Sequence, residues 1–192
     1  MATRKTKNHG ETIEMLKKEL GRKNLLSLPR VMKVSVSCGI GSMITQGNKD
    51  YAFIEKSLAE ITGQKPALRK SRKAISNFKL RKGLPVGLVV TLRKERMFDF
   101  LGRLVNIALP RVRDFHGISV KGFDGQGNYS LGIEDCTIFP EVDQETLTRS
   151  HGLQVNVSTK ANNNREGYLL LKAMGFPFKE VINEDGKIVK KS

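Results

Sequence analysis

The sequence of 192 residues has few of the features that characterise membrane proteins, secreted proteins or aromatic-lined binding sites. It contains no tryptophan, and aromatic residues make up 6 % of the chain, which disfavours a deep aromatic cage. The longest apolar run, Gly87-Leu88-Val89-Val90, has the length of a strand and falls short of the roughly 18 residues of a membrane span. The two cysteines, Cys38 and Cys136, lie far apart in a chain with no secretory hydrophobic segment. We therefore expect reduced thiols, a cytoplasmic location and no membrane partner.

Groups with the spacing of a catalytic or metal site are also missing. The histidines His9, His116 and His151 are isolated, and none has the neighbours of a zinc site. The stretch Gly39-Ile40-Gly41 lacks the third glycine and the Gly-Lys-Ser/Thr of nucleotide-binding loops, so it predicts a turn. Nothing local supports Cys38 as a nucleophile, and we interpret it as a buried strand residue. We expect no enzymatic activity, no metal and no cofactor.

Acidic residues are scarce relative to basic ones, and the two are unevenly distributed. The chain has 34 Lys and Arg against 19 Asp and Glu, for a net charge of +15 and a pI of about 10.0. Residues 65–113 carry fourteen basic and two acidic side chains, net +12, whereas residues 114–157 carry two basic and seven acidic ones, net −5. The basic block predicts a polyanionic partner. The acidic segment indicates either a basic partner or a soluble surface.

The periodicity of apolar residues predicts alternating helices and strands without a regular β-α-β order. Helical spacing covers residues 12–26, 49–62, 96–109 and 164–174, and strict alternation covers residues 31–37, 85–94 and 153–159. Asn48 is the expected cap of the second helix, Gly63 and Gly175 are expected helix ends, and Pro110 is expected to end the third helix. A short helix is expected at 143–149.

These elements predict an α+β fold, an antiparallel sheet with helices packed on one face and a polar face open to RNA. Alternate positions of the strands carry the polar side chains of this face: Lys33, Ser35, Ser37, Thr91, Arg93, Gln154 and Asn156. We expect a flexible basic tail at 1–11, one RNA-binding domain at 12–178 and a charged, frayed tail at 179–192. Residues 71–84 are basic and poor in apolar side chains, which predicts a long mobile loop.

Eight short blocks, in order along the chain, resemble the family of large-subunit ribosomal protein five. They are Lys33-Val-Ser-Val-Ser-Cys-Gly-Ile-Gly41, Thr62-Gly-Gln-Lys-Pro66, Phe78-Lys-Leu-Arg-Lys-Gly83, Val90-Thr-Leu-Arg93, Ala108-Leu-Pro-Arg-Val-Arg-Asp-Phe115, Phe123-Asp-Gly-Gln-Gly-Asn-Tyr129, Ile138-Phe-Pro-Glu141 and Gly175-Phe-Pro-Phe178. Each block alone is a weak signal, but eight in the right order are highly specific.

The resemblance implies a structural component of the large ribosomal subunit that binds 5S rRNA in the central protuberance. It implies 5S rRNA contacts at Lys33, Ser37, Gln64, Thr91 and Arg93. It implies a contact with P-site tRNA at Arg72, Lys73, Lys79, Arg81 and Lys82. It implies a bridge to a small-subunit head protein at Glu141, Asp143, Glu145 and Arg149. The 23S-type rRNA is a further expected partner, and we do not expect a homo-oligomer.

The sequence departs from the family pattern at two places. Ser37 stands where the family usually has Asn, which shortens an amide contact to a hydroxyl contact. Arg69 replaces a usual Thr and Ser71 replaces a small apolar residue, so the base of the loop is more basic. The alternative hypothesis is a small RNA-processing or RNA-modifying enzyme. It would need an acid and a base near residues 65–113, where only Glu95 and Asp99 are acidic.

Overall fold

In a computed structural model of the chain, the structure describes residues 9–22, 24–45, 51–142, 150–183 and 188–190. Its helices are α1 (His9–Leu20), α2 (Gly41–Thr45), α3 (Ala52–Thr62), α4 (Lys94–Arg103) and α5 (Asn164–Ala173). Its strands are β1 (Val31–Gly39), β2 (Ala67–Lys70), β3 (Pro85–Leu92), β4 (Tyr129–Ile133), β5 (Leu153–Thr159), β6 (Glu180–Ile182) and β7 (Ile188–Lys190). The α+β class is confirmed, while the packing of helices on one sheet face stays a prediction.

Five strands form one sheet in the order β2-β3-β1-β5-β4. β1 and β3 are antiparallel, with Val34 opposite Leu92 and Cys38 opposite Leu88. β2 pairs antiparallel with the other edge of β3, and its register shifts between Arg69 and Lys70. Strands that are distant in sequence are therefore neighbours in the sheet, since β1 and β3 are separated by α2, α3 and β2.

The chain divides into two compact units, and neither is a continuous stretch of sequence. The first unit contains residues 1–33, 101–130 and 156–192, and the second contains residues 34–100 and 131–155. The expectation of a single domain over residues 12–178 stays a prediction.

The second unit has a core made by the inner face of the strands and the apolar stripe of α3. Ile54, Leu58 and Ile61 recur at helical spacing and are fully buried. Burying each such side chain contributes roughly 1.5–3 kcal/mol. The helix ends as expected at Gly63, which has a φ of 66° and donates its N–H to the Ala59 carbonyl at 2.8 Å. The expected cap, Asn48, lies outside the described residues.

The helix predicted at 96–109 corresponds to α4, and the observed helix ends differently. α4 is followed by a π-helical turn, Leu104–Ala108, and then by a 3₁₀ turn, Leu109–Arg111, that contains Pro110. Proline cannot donate a backbone hydrogen bond, so the regular pattern of hydrogen bonds cannot run through this position. The wider and then tighter turns carry the chain past Pro110 while Leu104 and Leu109 stay buried.

An aromatic cluster organises the first unit. Phe178 contacts the rings of Phe123, Tyr129 and Tyr168, with centroids 5.9, 5.5 and 5.1 Å away. The Tyr129 hydroxyl donates to the Ser119 carbonyl at 2.7 Å. Burial, followed by the charge of Glu180, raises the pKa of Tyr129 to about 12.

The C-terminal segment is more ordered than its charge suggests. We expected a frayed tail after Lys179, but β6 and β7 pair antiparallel, with Val181 opposite Val189. Ile182 is buried in a small cluster with Val120 and Tyr168. The Glu180 carboxylate accepts from the Ser119 hydroxyl at 3.2 Å. The burial of Ile182 and the contact of Val181 with the same cluster therefore anchor β6 to the first unit.

Candidate nucleic-acid interface

The paired part of β1 and β3 separates its side chains into two classes. Val34, Val36 and Cys38 are buried and stand opposite Leu92, Val90 and Leu88. Between them Ser35 stands opposite Thr91, and Ser37 stands opposite Val89; these four side chains are half-buried. Since successive side chains of a strand point to opposite faces, the hydroxyls share the face away from the core. The predicted alternation is confirmed over this ladder.

The alternation does not extend to the start of β1. Strict alternation over residues 31–37 would place Met32 on the apolar face with Val34 and Val36, but Met32 is 44 % exposed, whereas Val31 is buried. The ladder with β3 begins only at Val34, so the first residues of β1 are not fixed by that pairing. In β5, Gln154 is exposed and Asn156 half-buried between buried neighbours, as its alternation predicts.

The five predicted 5S rRNA contacts occupy three kinds of position. Lys33, Ser37 and Thr91 lie within β1 and β3 and are half-buried. Arg93 follows the last residue of β3 and is exposed. Gln64 lies outside the strands, in the turn after α3, where its backbone carbonyl accepts from the Thr62 hydroxyl at 3.1 Å. The ladder thus brings Ser37 and Thr91 to one face, and Gln64 lies outside that ladder.

Arg69 belongs to the same face, which the sequence analysis missed. Arg69 pairs with Gly87, and Gly87 pairs with Gly39 on the next strand. A Cβ on Gly87 would meet the Cys38 carbonyl at 3.2 Å, while Gly39 has open space. The two glycines leave a bare stretch of backbone beside an exposed guanidinium. Paired glycines of this kind allow the close approach of another molecule. The position of Arg69 follows from the register of β2 against β3, which no local sequence signal gives.

The stretch of chain that includes β2 and β3 carries charge of one sign. Residues 65–94 contain no Asp or Glu, and the basic side chains of β2 and of the segment that follows it are exposed. Lys65 lies 3.9 Å from the Glu55 carboxylate, but both charges are close to solvent. Exposed pairs of this length contribute little, so the positive potential is retained.

The basic segment at 71–84, called here the basic hairpin, has defined structure. Ser71 and Leu84 are joined by an N–H···O bond of 2.8 Å. Farther out, Ile75 and Leu80 exchange two bonds of 3.0 and 3.1 Å. A 3₁₀ turn, Ser76–Phe78, closes the tip. The expected loop is therefore a hydrogen-bonded hairpin that joins β2 to β3, and its mobility stays a prediction.

All five side chains predicted to contact tRNA are exposed on the basic hairpin. They are Arg72, Lys73, Lys79, Arg81 and Lys82. Lys79 adopts a φ of 51° and donates its N–H to the Ser76 carbonyl at 2.9 Å. The turn thus separates Arg72 and Lys73, which precede it, from Lys79, Arg81 and Lys82, which follow it.

The structure describes only one of the four residues that are predicted to form the bridge. Glu141 is half-buried at the end of a described stretch. Asp143, Glu145, Arg149 and the expected helix at 143–149 lie outside the described residues. Nearby, the Ser150 hydroxyl donates to the Asp135 carboxylate, and this bond is the main reason that the pKa of Asp135 is lowered.

One cluster of reactive residue types comes together that sequence reasoning did not predict. His151 was expected to be isolated, but its Nδ1 is 3.5 Å from the Cys136 sulfur and its Nε2 is 3.3 Å from the Ser57 hydroxyl. Cys136 is fully buried, and burial is the main cause that raises the pKa of its thiol. A protonated, inaccessible thiol is a poor nucleophile, so the cluster is part of the packing of the second unit.

The second thiol has the same character. Cys38 is buried in β1 and is not part of a disulfide. Burial, followed by the proximity of Cys136, raises the pKa of Cys38 to about 11. Both cysteines are therefore structural residues, as predicted for Cys38.

Among the residues that the structure describes, no group of three or more His, Cys, Asp or Glu side chains is arranged to hold a metal ion. Within the same ranges, no helix has the length and apolar character required to cross a membrane.

The chain matches two family models that adjoin along the sequence. One, described as Ribosomal protein L5, covers residues 24–81, and the other, described as the C-terminus of the same ribosomal protein family, covers residues 85–178. β1, β2 and β3 lie within the matched residues, whereas β6 and β7 lie beyond them.

Curated relatives are similar over most of their length. Large ribosomal subunit protein uL5 of Synechocystis sp. is 50 % identical over 167 residues, which are 85 % of this chain and 91 % of the relative. The protein of that name from Trichlorobacter lovleyi is 47 % identical over 179 residues, 93 % of this chain and 99 % of the relative. That of Psychrobacter arcticus is 44 % identical over 182 residues, 93 % of this chain and 100 % of the relative.

Proposed function

Because the chain belongs to the ribosomal protein L5 family, we propose that it joins the large ribosomal subunit by binding 5S rRNA through the polar face of β1 and β3. The family is one of structural ribosomal proteins associated with the ribosome, and its members are not enzymes. The alternative hypothesis of an RNA-processing or RNA-modifying enzyme is therefore wrong. The acids it relied on, Glu95 and Asp99, are exposed on α4.

The observation that carries the proposal is the pairing of Ser35 with Thr91 on a face that has no acidic side chain between residues 65 and 94. Hydroxyls give short-range hydrogen bonds to phosphate oxygens and to the 2′-hydroxyl of RNA. Arg69 and Arg93 supply charge to the backbone of the same RNA, and each phosphate they neutralise strengthens binding at low salt. Lys33, Ser37 and Gln64 complete the proposed contact set.

A filter-binding titration with 5S rRNA tests this proposal. Thr91→Ala and Arg93→Ala are each expected to cost about 1–3 kcal/mol, or about 5- to 150-fold in affinity, because each removes a hydrogen bond to a charged or buried group. Arg93→Ala also removes one phosphate contact, so the slope of log K against log salt falls by about 0.7–0.9.

The matched control is Lys56→Ala, which removes the same charge from the exposed surface of α3, where Lys56 lies 3.9 Å from Glu60. Lys56 is not part of the β1–β3 ladder, so its loss should leave 5S rRNA affinity unchanged. Wild-type affinity for both the Thr91 and Arg93 variants would count against the proposal.

The basic hairpin is proposed to contact P-site tRNA. Support comes from its five exposed cations and from its hydrogen-bonded base, which joins it to β2 and β3. Neutralising Arg72, Lys73, Lys79 and Arg81 together should weaken tRNA retention on the ribosome and leave 5S rRNA binding intact. A collapse of 5S rRNA binding in this variant would show that the two surfaces do not have separate roles.

The acidic segment is proposed to bridge to a basic protein of the small-subunit head, and the 23S-type rRNA is proposed as a second RNA partner. The support for the bridge is the net charge of −5 over residues 114–157. Glu141→Lys should reduce the association of the two ribosomal subunits at moderate salt without changing 5S rRNA affinity. Unchanged subunit association would contradict a bridge at this position.

A further inference from the structure

We propose that the aromatic ring of Phe78, at the tip of the basic hairpin, stacks on an unpaired nucleobase of the RNA that the hairpin contacts. The inference rests on the proposed function of the hairpin, and it adds a base-contacting residue to a surface so far described only by its charges.

Phe78 is the most exposed of the twelve aromatic residues in the chain. Its side chain is 66 % exposed, whereas the next, Phe98, is 37 % exposed and the other ten are buried or half-buried. Phenylalanine is usually buried in the core, because its side-chain surface is almost wholly apolar. An exposed ring contributes little to the stability of the fold. The position of Phe78 at the tip of the hairpin therefore indicates an external partner.

The tip holds the backbone of Phe78 in a defined turn. Phe78 ends the 3₁₀ turn, and the Lys79 N–H that follows it is bonded to the Ser76 carbonyl at 2.9 Å. The Ile75–Leu80 pair closes the hairpin directly beneath the turn. A side chain presented on a preorganised turn loses little conformational freedom when a flat partner docks on it.

The surroundings of the ring indicate the chemistry of the partner. Lys79 is adjacent in sequence, other exposed cations lie on both arms of the hairpin, and residues 65–94 contain no acid. A ligand complementary to this tip combines negative charge with flat apolar faces. A nucleic acid with an unstacked base has both properties, and aromatic residues among cations are a usual platform for it. Ser76 and Asn77 are exposed beside Phe78 and offer hydrogen bonds to base edges.

The experiment measures tRNA dissociation from the P site of ribosomes whose large subunits contain variants of this protein. Phe78→Ala should weaken tRNA retention about 5- to 150-fold, the range expected for loss of one base–aromatic stack. Phe78→Tyr, which keeps the ring, should retain nearly wild-type affinity. Phe78→Leu keeps apolar bulk without the ring and should resemble Phe78→Ala. The salt dependence should be unchanged in all three variants, because no charge is altered.

The outcomes separate the stacking proposal from the proposed function of the hairpin. If the charge variants at Arg72, Lys73, Lys79 and Arg81 weaken tRNA retention and Phe78→Ala does not, stacking is refuted and the electrostatic contact stands. If neither set has an effect, the tRNA contact is refuted together with the stack. Wild-type retention by Phe78→Leu would show that bulk alone suffices and would overturn stacking.

A membrane surface is the competing class of partner for an exposed ring among cations. Vesicles of phosphatidylglycerol serve as the probe, with phosphatidylcholine vesicles as the uncharged comparison. Loss of vesicle binding by Phe78→Ala, with unchanged tRNA retention, would overturn the proposal. In every variant the affinity for 5S rRNA should equal that of the wild type, which reports that the protein is folded and assembled.

Discussion

The close approach of α5 to the glycine loop at 125–127 makes a sharp prediction about Gly167. A Cβ at this position would collide with the carbonyl oxygen of Gly127 and lie 2.8 Å from its Cα. Gly127 has a φ of 81°, and its N–H is bonded to the side-chain oxygen of Asn164 at 3.1 Å. The obstacle is backbone held by hydrogen bonds, so it cannot rotate out of the way as a flexible side chain would.

Two effects of Gly167→Ala oppose each other. Alanine favours the interior of a helix over glycine by about 1 kcal/mol. Forcing a methyl group into a closed space typically costs about 1–3 kcal/mol or more, and contacts under about 3 Å to backbone lie at the upper end. We therefore expect a net loss of about 2 kcal/mol in the free energy of unfolding. For a protein of this size that corresponds to a fall of about 4–8 °C in melting temperature.

Gly132→Ala provides the matched control. Gly132 lies in β4, where an added Cβ meets nothing within 4 Å, and its φ is not positive. The free energy of unfolding should change by no more than about 0.5 kcal/mol. Urea titration followed by far-UV circular dichroism measures both variants. Equal or greater stability of Gly167→Ala relative to wild type would refute the packing described for this loop.

Four further predictions concern buried side chains. Tyr129→Phe should cost about 1 kcal/mol at about pH 8, since it removes the hydroxyl bond to Ser119, and a loss below a few tenths in urea titration would contradict that bond. The pKa of Tyr129 is raised to about 12, so the unfolded chain loses the phenolic proton at a lower pH than the folded chain does. The free energy of unfolding of the wild type should therefore fall between roughly pH 10 and 12, and this fall should be smaller in Tyr129→Phe. Ile182→Ala should cost about 2–4 kcal/mol by opening a cavity under β6, and a wild-type melting temperature would show that the C-terminal strands do not support the first unit. Cys38 and Cys136 should react slowly with an aromatic disulfide reagent in the native protein and fast in urea, and rapid native labelling would exclude their burial.

Local sequence patterns were sufficient for the elements whose signals are local. Strict alternation predicted β5 at 153–159, and its observed bounds are Leu153–Thr159. The helix ends at Gly63 and Gly175 were predicted because a left-handed residue is needed there, and the observed φ angles are 66° and 96°. Alternation also predicted Ser35 and Thr91 on the polar faces of their own strands, whereas their pairing comes from the sheet register that the structure shows.

Features that depend on distant segments were not predictable in this way. The contact between Ser57 and His151 joins residues 94 positions apart, and no local pattern encodes that distance. The placement of Arg69 depends on the register of β2 against β3. The β6–β7 pair was missed because each strand has only three residues, too few for periodicity to be recognised. The turns around Pro110 show the same limit, since proline marks an interruption without specifying its geometry.

The proposed RNA-binding face of this chain departs from the usual family pattern at Ser37 and Arg69. Ser37, where the family usually has Asn, stands opposite Val89, so its shorter hydroxyl has no polar partner across the ladder in register. Arg69 adds a charge on the same face through its pairing with Gly87. We expect the face of this chain to depend more on charge, and less on amide contacts, than the usual family pattern.

Directed hydroxyl-radical cleavage of 5S rRNA tests the central claim most directly. An iron–EDTA probe is tethered to Ser37→Cys on the polar face of β1, with Glu60→Cys on the exposed surface of α3 as the comparison. Both native thiols are buried, so the probe attaches selectively to the introduced site. The account predicts strong, localised cuts in 5S rRNA from position 37 and weak or no cuts from position 60. Strong 5S rRNA cuts from position 60 with none from position 37 would contradict it.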